Sequence, residues 1–504
     1  MTTASTDARA QHEGRTGAAA HRPRASTTAR MALGAAAVLT VGVVLLCSMP
    51  VVRFPSWREV VVTTGGAVSL TCVWALRTEL ASELRHRRLG FAALSLVSVL
   101  VACAWSVGAR LRDGPTLDLG VAAVVGVVVL ACHGVRREAD TEPVPLPPWF
   151  VPAALAASVA TIGIWLVIDT RPAVALAAGV AVTIAACPGA LGLAMPAVYR
   201  FGTRRGDVLG VAIHDVATLG ASQRIDLLVL DGQTTVTSGK RVASVEAFVA
   251  DHERNLRWFA GALEHASSHP VGKAIAKLSA RGRLSGVETH PGLGISGSVD
   301  RHPVRVGRPD WVGIDVAESI GTTVGVEVDA RPLGTITVVD AVRPTARQAT
   351  DALRRSGVDP VLVTTVSPMT AKDLAEQVGI DRVVAEAGAT TTATLVSELR
   401  DEGRTVAVLT GSQLVLDTAE SEQTAVTLTE GDVAEALTAV VLARTIDAKA
   451  RATARGAAVY TAIAIALAAV GLLPPMGAAL ALAASSLVVV VSAMRLSRFS
   501  RPSV

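Results

Sequence analysis

The stretch Ile225-Asp226-Leu227-Leu228-Val229-Leu230-Asp231 decides the fold of the largest polar block in this chain. A short apolar run that ends on a carboxylate reads as a buried parallel strand delivering an acid to the carboxyl edge of a sheet. Runs of the same kind follow at Gly334–Val339, Pro360–Thr364 and Thr405–Leu409, alternating with helical stretches at Ala346–Ser356, Ala371–Val378 and Thr392–Glu402. That order predicts a doubly wound α/β sheet over 199–455. The interval 241–331 has a different texture and is expected to form a second, inserted domain. A carboxylate at the position of Asp231 can accept a phosphoryl group. The same residue type also serves as a cap or turn residue, so the position by itself leaves both roles open.

Outward from this block the chain is far more apolar. Half of its 504 residues are hydrophobic and 18% are charged, a balance between those of soluble and all-membrane proteins. Apolar runs of spanning length occur at 31–52, 60–76, 91–109, 119–135, 149–168, 172–198, 456–473 and 476–494. Three of them, the second, fourth and seventh, need their flanks to cross a hydrocarbon core about 30 Å thick. Arginines concentrate on one side of these spans: Arg9, Arg15, Arg22, Arg24 and Arg30, then Arg77, Arg85, Arg87, Arg88, Arg136 and Arg137, and finally Arg495, Arg498 and Arg501. The opposite side has Arg53, Arg58, Arg110, Arg112 and Arg171. The asymmetry predicts that both termini and the 199–455 block are cytoplasmic, in a cell membrane. Residues 1–30 read as a disordered cytoplasmic tail and 495–504 as a second, short one. Aromatic residues make up only 3% of the chain and no basic run interleaves with them, which argues against nucleic-acid binding.

All five cysteines (Cys47, Cys72, Cys103, Cys132 and Cys187) lie inside apolar segments. The first four read as small apolar filler in helices.

Several stretches, in order over about 149–499, resemble the heavy-metal-transporting P-type ATPases, and the copper pumps in particular. Cys187-Pro188-Gly189-Ala190-Leu191-Gly192-Leu193-Ala194-Met195-Pro196 is similar to C-P-C-A-L-G-L-A-T-P in the sixth span. Asp231-Gly232-Gln233-Thr234-Thr235-Val236-Thr237-Ser238-Gly239-Lys240 stands in the place of D-K-T-G-T-L-T-x-G-K. Ser267-Ser268-His269-Pro270 resembles S-E-H-P, with Glu264 just upstream, and Pro291 to Gly297 matches P-G-x-G-x-x-G. Asp340-Ala341-Val342-Arg343-Pro344 matches D-x-x-R-P, and Ser485-Ser486 through Leu496 resembles the last span.

The resemblance implies a multi-span α-helical membrane protein with a cytoplasmic α/β haloacid-dehalogenase-like (Rossmann-like) phosphorylation domain at 199–240 and 332–455. An α+β nucleotide-binding domain would be inserted at 241–331. Four transmembrane helices would occupy 31–135, two with the Cys-Pro motif 149–198, and two more 456–494. It implies Asp231 as phosphoryl acceptor, and Glu264, His269, Gly292, Gly294 and Gly297 as contacts for ATP. Glycine spacing alone does not separate such a pocket from a set of turns. Cys187 would be a transport-site metal ligand, with a Pro-kinked span and an inert thiol as the alternative.

The departures fall on the catalytic positions. Gly232 replaces the motif lysine and Thr234 its glycine. Thr364-Thr365-Val366 has lost the acid of T-G-D, Thr392 stands near a phosphate-neutralising lysine, and Thr410-Gly411-Ser412-Gln413-Leu414-Val415 has lost the acids of G-D-G-x-N-D. Asp417 is out of register. At the transport positions Tyr460 is followed by Thr461, and Leu482 precedes Ser485 and Ser486. The actuator domain that bears T-G-E in the family has only the linker 136–148 in its place. Phosphoryl transfer depends on Mg²⁺ and cations around the γ-phosphate, and removing one charge stabiliser costs ~3 kcal/mol. These losses predict a pseudo-ATPase that binds ATP and argue against Mg²⁺ binding. The alternative is a working ATP-driven metal cation transporter with divergent motifs. The implied partners are the lipid bilayer, a metal cation and another membrane protein that would supply the actuator. A membrane-tethered phosphatase would need an acid at another metal-ligand position or two residues after Asp231, where Gln233 stands.

Overall fold

A computed structural model describes residues 42–43, 45–49, 54–86, 89–139, 146–169, 171–213, 220, 224–232, 234–317, 319–416 and 424–502. The expected tail at 1–30, most of the first expected span, the middle of the linker, Gln233 and Asp417 lie outside these residues. The chain divides into two compact units, one of 1–202 with 448–498 and one of 203–447 with 499–504.

The first unit is helical. Its elements are α1 (Trp57–Arg85), α2 (Phe91–Leu111), α3 (Val121–Ala139), α4 (Phe150–Ile168), α5 (Pro172–Ala185) and α6 (Gly189–Val208). The later helices are α12 (Val433–Ala469) and α13 (Pro475–Met494), which follow the second unit's helices in chain order. Among the described residues seven helical segments are long and apolar enough to cross a membrane, so the protein is multi-pass. The core is close-packed from small and branched residues: Cys72, Leu76, Val99, Val124, Val182, Ile184 and Ala479 share one buried cluster. Polar groups in it are satisfied locally, as the lipid environment demands. The Ser158 hydroxyl donates to the Gly179 carbonyl at 2.8 Å and Ser69 to that of Gly65 at 2.8 Å.

Two features differ from the sequence reading. α1 runs on past the apolar run 60–76, so Arg77, Glu79, Glu83 and Arg85 belong to a helix rather than a loop. α3 likewise runs to Ala139, and Arg136 is not a free loop charge. It is 6% exposed, its Nη2 lies 3.3 Å from Glu79 Oε2, and its guanidinium stacks 4.0 Å above the Phe91 ring. His133 Nδ1 sits 3.1 Å from the other Glu79 oxygen. The reason is energetic: a charge this deep persists only with a partner.

The second unit holds two sheets. The first has the order β1-β13-β12-β11-β2-β9-β10, with β1 at Val211–Ala212, β2 at Leu227–Asp231, β9 at Asp359–Val363, β10 at Arg382–Val384, β11 at Val406–Thr410, β12 at Gln413–Leu416 and β13 at Thr424–Leu428. β11, β2, β9 and β10 are parallel. Each strand of the buried centre carries apolar residues on both faces. Leu227 and Val229 pack with Val361, Leu395 and Leu399, while Leu228 and Leu230 are wholly buried on the other face. Helices α9 (Ala346–Arg355), α10 (Pro368–Val378) and α11 (Ala389–Asp401) supply the crossovers. This is a haloacid-dehalogenase-like α/β architecture. The antiparallel strands β12, β13 and β1 widen it, which the sequence reading did not foresee.

The second sheet is antiparallel, β3-β8-β7-β6-β5-β4, built from β3 (Thr237–Ala247), β4 (Leu284–His290), β5 (Gly294–Val299), β6 (His302–Gly307), β7 (Thr322–Val328) and β8 (Arg331–Val342). Helices α7 (Glu253–Glu264) and α8 (Pro270–Ile275) lie against one face around Leu256, Leu263, Ile275, Val306 and Ile336. The run Gly334–Val339, read from sequence as a strand of the doubly wound sheet, belongs here. It is the middle of twelve-residue β8, which pairs antiparallel with β3 and β7. A continuous apolar run marks burial on both faces but does not say which sheet does the burying.

Candidate functional site

Three parallel strands, β11, β2 and β9, end side by side, and Asp231 closes the middle one. Asp231 lies opposite Val363 in the ladder, and Gly232 continues it by donating its N–H to the Val363 carbonyl at 2.8 Å. The chain then turns sharply. The N–H of Thr235 donates to the Asp231 carbonyl at 3.0 Å, and the Thr235 hydroxyl adds a second bond at 2.6 Å. That turn brings Thr234 back over the acid. Its hydroxyl donates to Asp231 Oδ2 at 2.9 Å while accepting the Gly411 N–H at 3.2 Å. One carboxylate oxygen is thereby engaged, and the loop after β11 is tied to the loop after β2.

The rest of this rim is made of hydroxyls. Thr364, at the end of β9, is 2% exposed, and its Oγ1 finds no hydrogen-bond partner. Gly232 lies directly beside it; a Cβ there would stand 3.1 Å from Thr364 Cβ and 3.2 Å from its Oγ1. Thr392 spends its hydroxyl on its own helix, donating to the Gly388 carbonyl at 3.2 Å. Among the described residues no group of three or more His, Cys, Asp or Glu side chains is placed to hold a metal ion. Asp231 thus presents its carboxylate at this rim beside the hydroxyl of Thr234.

Asp340 and Arg343 have structural work nearby. Lys240 donates to Asp340 Oδ1 at 2.8 Å, and the Arg343 side chain donates to the Thr237 carbonyl at 3.1 Å. Together they staple β3 to β8 where the chain leaves and re-enters the first sheet.

The residues expected at the nucleotide pocket occupy two places. Glu264 ends α7 at 5% exposure, Ser267 follows in the turn, and His269 caps α8 by accepting the Val271 N–H at 3.3 Å on Nδ1. Ser267 accepts the His269 N–H at 3.2 Å. Glu264 Oε2 is buried with no partner, and burial pushes the carboxyl up to about 7, against a smaller opposing pull from Ser267. It points at the backbone of α8, where a Cβ on Gly272 would meet it at 2.1 Å. Gly297 joins this corner, because a side chain there would strike Leu263 of α7 at 2.9 Å.

Gly292 and Gly294 instead shape the β4–β5 turn. Gly292 has φ +75°, and Gly294 presses so close to β6 that a Cβ would lie 2.3 Å from the Val306 carbonyl. Both therefore have local reasons to be glycine. A cavity of about 350 Å³ in this unit lies elsewhere, between the outer face of β3 and β8 and helix α10. Arg241, Ser244, Thr337, Asp340, Thr370 and Asp373 line it.

In the helical unit, Cys187 sits at the break between α5 and α6. Pro188 has no N–H, so the ladder is interrupted there, and Gly189 restarts it. Cys187 is 1% exposed. A void of about 10 Å³ beside it is lined in part by Tyr460, Thr461 and Ser485. The structure also puts Cys72 in the same buried cluster as Cys187 and sets the Cys132 sulfur 3.5 Å from where a Cβ on Gly189 would stand, although the sequence marked both only as filler. No sequence signal could have found this, since the three thiols come from three helices at unrelated spacings.

Comparison with known proteins fits this geometry. Residues 225–408 match the haloacid dehalogenase-like hydrolase family. The chain is 36% identical over 384 residues to a copper-exporting P-type ATPase of Mycobacterium tuberculosis, covering 70% of this chain and 50% of the relative. It is 30% identical over 390 residues to a copper-exporting P-type ATPase of Bacillus subtilis, covering 69% and 48% respectively. The chain therefore spans about half the length of the curated relatives it matches. A zinc-transporting PIB-type ATPase structure superposes with TM-score 0.69 at 17% identity, covering 94% of this chain and all of that one, which speaks for the fold.

Proposed function

We propose, from its membership of the heavy-metal P-type ATPase family, that this chain is a pseudo-ATPase: a multi-pass membrane protein that binds nucleotide without turning it over. The observation that carries this reading is the state of Asp231. Its Oδ2 is held by the Thr234 hydroxyl, the buried Thr364 hydroxyl lies at the end of β9, and Thr364-Thr365-Val366 and Thr392 stand in the sequence where the resemblance expects an acid and a lysine. A threonine hydroxyl cannot neutralise a γ-phosphate or hold a divalent ion against water. On this reading Mg²⁺ is not bound at the rim. The short connection between α3, ending at Ala139, and α4, beginning at Phe150, supports the absence of an actuator at this place in the chain.

The arrangement still offers two things to a nucleotide. The corner of Glu264, Ser267 and His269 presents a buried acid with an unpaired oxygen beside an exposed imidazole. A purine edge supplies the donors that such an oxygen lacks. In the membrane, the orientation read from the arginines places the α/β unit and both termini on the cytoplasmic side of a cell membrane. The decisive measurement exposes purified full-length protein to labelled ATP and Mg²⁺, followed by acid quench. No acid-stable label is expected. Label that forms and disappears in Asp231→Asn would refute the reading.

One observation favours the second reading, a transporting ATPase with divergent motifs. Cys187 remains buried at a helix break next to a small void to which Tyr460, Thr461 and Ser485 contribute hydroxyl-bearing side chains. Metal-stimulated ATP hydrolysis in vesicles, alone or with a partner chain that supplies the actuator, is its signature.

A further inference from the structure

The cavity of about 350 Å³ in the α/β unit has no part in the function proposed above, and its walls come from two layers of the fold. Its floor is the face of β3 and β8 turned away from α7 and α8. Val242, Val245, Ile336 and Val338 pack toward those helices, so the alternating Arg241, Ser244 and Thr337 face the other way. A register shift between Val242 and Ser244 keeps Arg241 and Ser244 on one side of the bulged strand. The roof is α10, where Thr370, Asp373, Leu374 and Gln377 recur at helical spacing. The turn that holds Gly292 and Gly294 is at the opposite edge of the sheet, since β3 and β4 are its two outer strands. The cavity is therefore separate from the corner of Glu264 and His269. Its walls are tied in place. The Gly321 N–H donates to Thr370 Oγ1 at 3.1 Å, Thr323 joins the hydroxyls of Ser319 and Thr337 at 2.7 and 3.1 Å, and Lys240 donates to Asp340 at 2.8 Å.

The charges that line this cavity are only partly matched. Arg241, Glu246, Asp340 and Asp373 are its ionisable side chains, and Lys240 neutralises Asp340. Asp373 accepts from the uncharged Gln377 amide at 2.7 Å. Among the described residues no ion pair engages Arg241, Glu246 or Asp373. One cation and two carboxylates thus await partners, with Ser244 between Arg241 and Glu246 on β3. A few polar groups converging on a void of this size are the usual makings of a small-molecule site. A simple anion would meet two acids here, and a simple cation would leave Arg241 unmatched. A molecule with one carboxylate and two amines matches all three through charge-assisted hydrogen bonds. We propose that this cavity binds a small diamino carboxylate, the class of the basic amino acids, with its carboxylate on Arg241 and its amines on Glu246 and Asp373. Such a ligand touches α10, a crossover helix of the first sheet, and also β3 and β8, the strands by which the chain leaves that sheet and returns to it. Binding therefore braces the two sheets against each other. It involves neither ATP nor the membrane helices, so its outcome is independent of phosphoenzyme formation.

The test is calorimetry of purified full-length protein with L-lysine, with cadaverine, which lacks the carboxylate, and with L-norleucine, which lacks the side-chain amine. L-Lysine is expected to bind saturably. Each truncated probe is expected to bind at least ~10-fold more weakly, the worth of one hydrogen bond to a charged group. Arg241→Gln is expected to weaken L-lysine by a similar factor and to leave cadaverine as in wild type. Asp373→Asn is expected to weaken both. Unchanged cadaverine binding and an unchanged melting profile show that Arg241→Gln still folds, so its loss of lysine is local. Amide hydrogen exchange in α10 and β8 is expected to slow when L-lysine is added. Wild-type protein that takes up no L-lysine would overturn the proposal. So would cadaverine and L-norleucine that bind as tightly as L-lysine, or an Arg241→Gln protein that binds L-lysine as wild type does.

Discussion

Replacing Glu264 by Gln tests the nucleotide corner through its proton. Glu264 is 5% exposed, its Oε2 has no partner, and burial raises its carboxyl from 4.5 to about 7. A raised acid favours the folded state only while it is neutral. The contribution is intact below about 4.5, where folded and unfolded chains are both protonated, and is lost as pH rises toward about 7. Above that the penalty is constant. The difference is 7 − 4.5 = 2.5 pH units; at 1.36 kcal/mol each it comes to about 3 kcal/mol. Gln keeps the shape without the charge. Glu264→Gln should therefore leave stability nearly unchanged at pH 4.5 and raise it by up to about 3 kcal/mol at pH 8. Amide hydrogen exchange of α8, corrected for intrinsic rates, reads this locally in the full-length protein. Wild-type protection should fall between pH 5 and 8, and the variant's should not. Equal pH slopes in the two proteins would refute the assignment of a buried, unpaired carboxyl.

Two further outcomes follow from the first sheet. Leu228 is wholly buried in the central strand β2, so Leu228→Ala should cost 2 to 5 kcal/mol, roughly, of the unit's stability in denaturant unfolding. Thr234→Val removes both the bond to Asp231 and the acceptor for the Gly411 N–H. It should cost about 1 to 2 kcal/mol, raise exchange at the Gly411 amide, and still give no phosphoenzyme. Phosphorylation in that variant would mean that the threonine clasp, and not the missing charge, is what silences the acid.

Much of this was legible locally. The strand ending on Asp231, the crossover helices at Ala346–Arg355, Pro368–Val378 and Ala389–Asp401, and most of the apolar spans follow from patterns within a few residues of each other. The loss of acids around the rim was equally local. What escaped was pairing. Nothing in Gly334–Val339 says that it leaves the parallel sheet for an antiparallel one. Nothing in Arg136 says that a loop charge is in fact a buried partner of Glu79.

The sequence by itself determined that the chain crosses a membrane and carries an α/β unit whose central strand ends on Asp231, because hydrophobic period and strand-end chemistry are properties of short segments. The tertiary structure alone decided that Thr234 closes over that acid. It alone placed Glu264 in a dry corner with an unpaired oxygen, and set Cys132 beside the break that holds Cys187. Those relations are distances across separate elements, and only packing sets them.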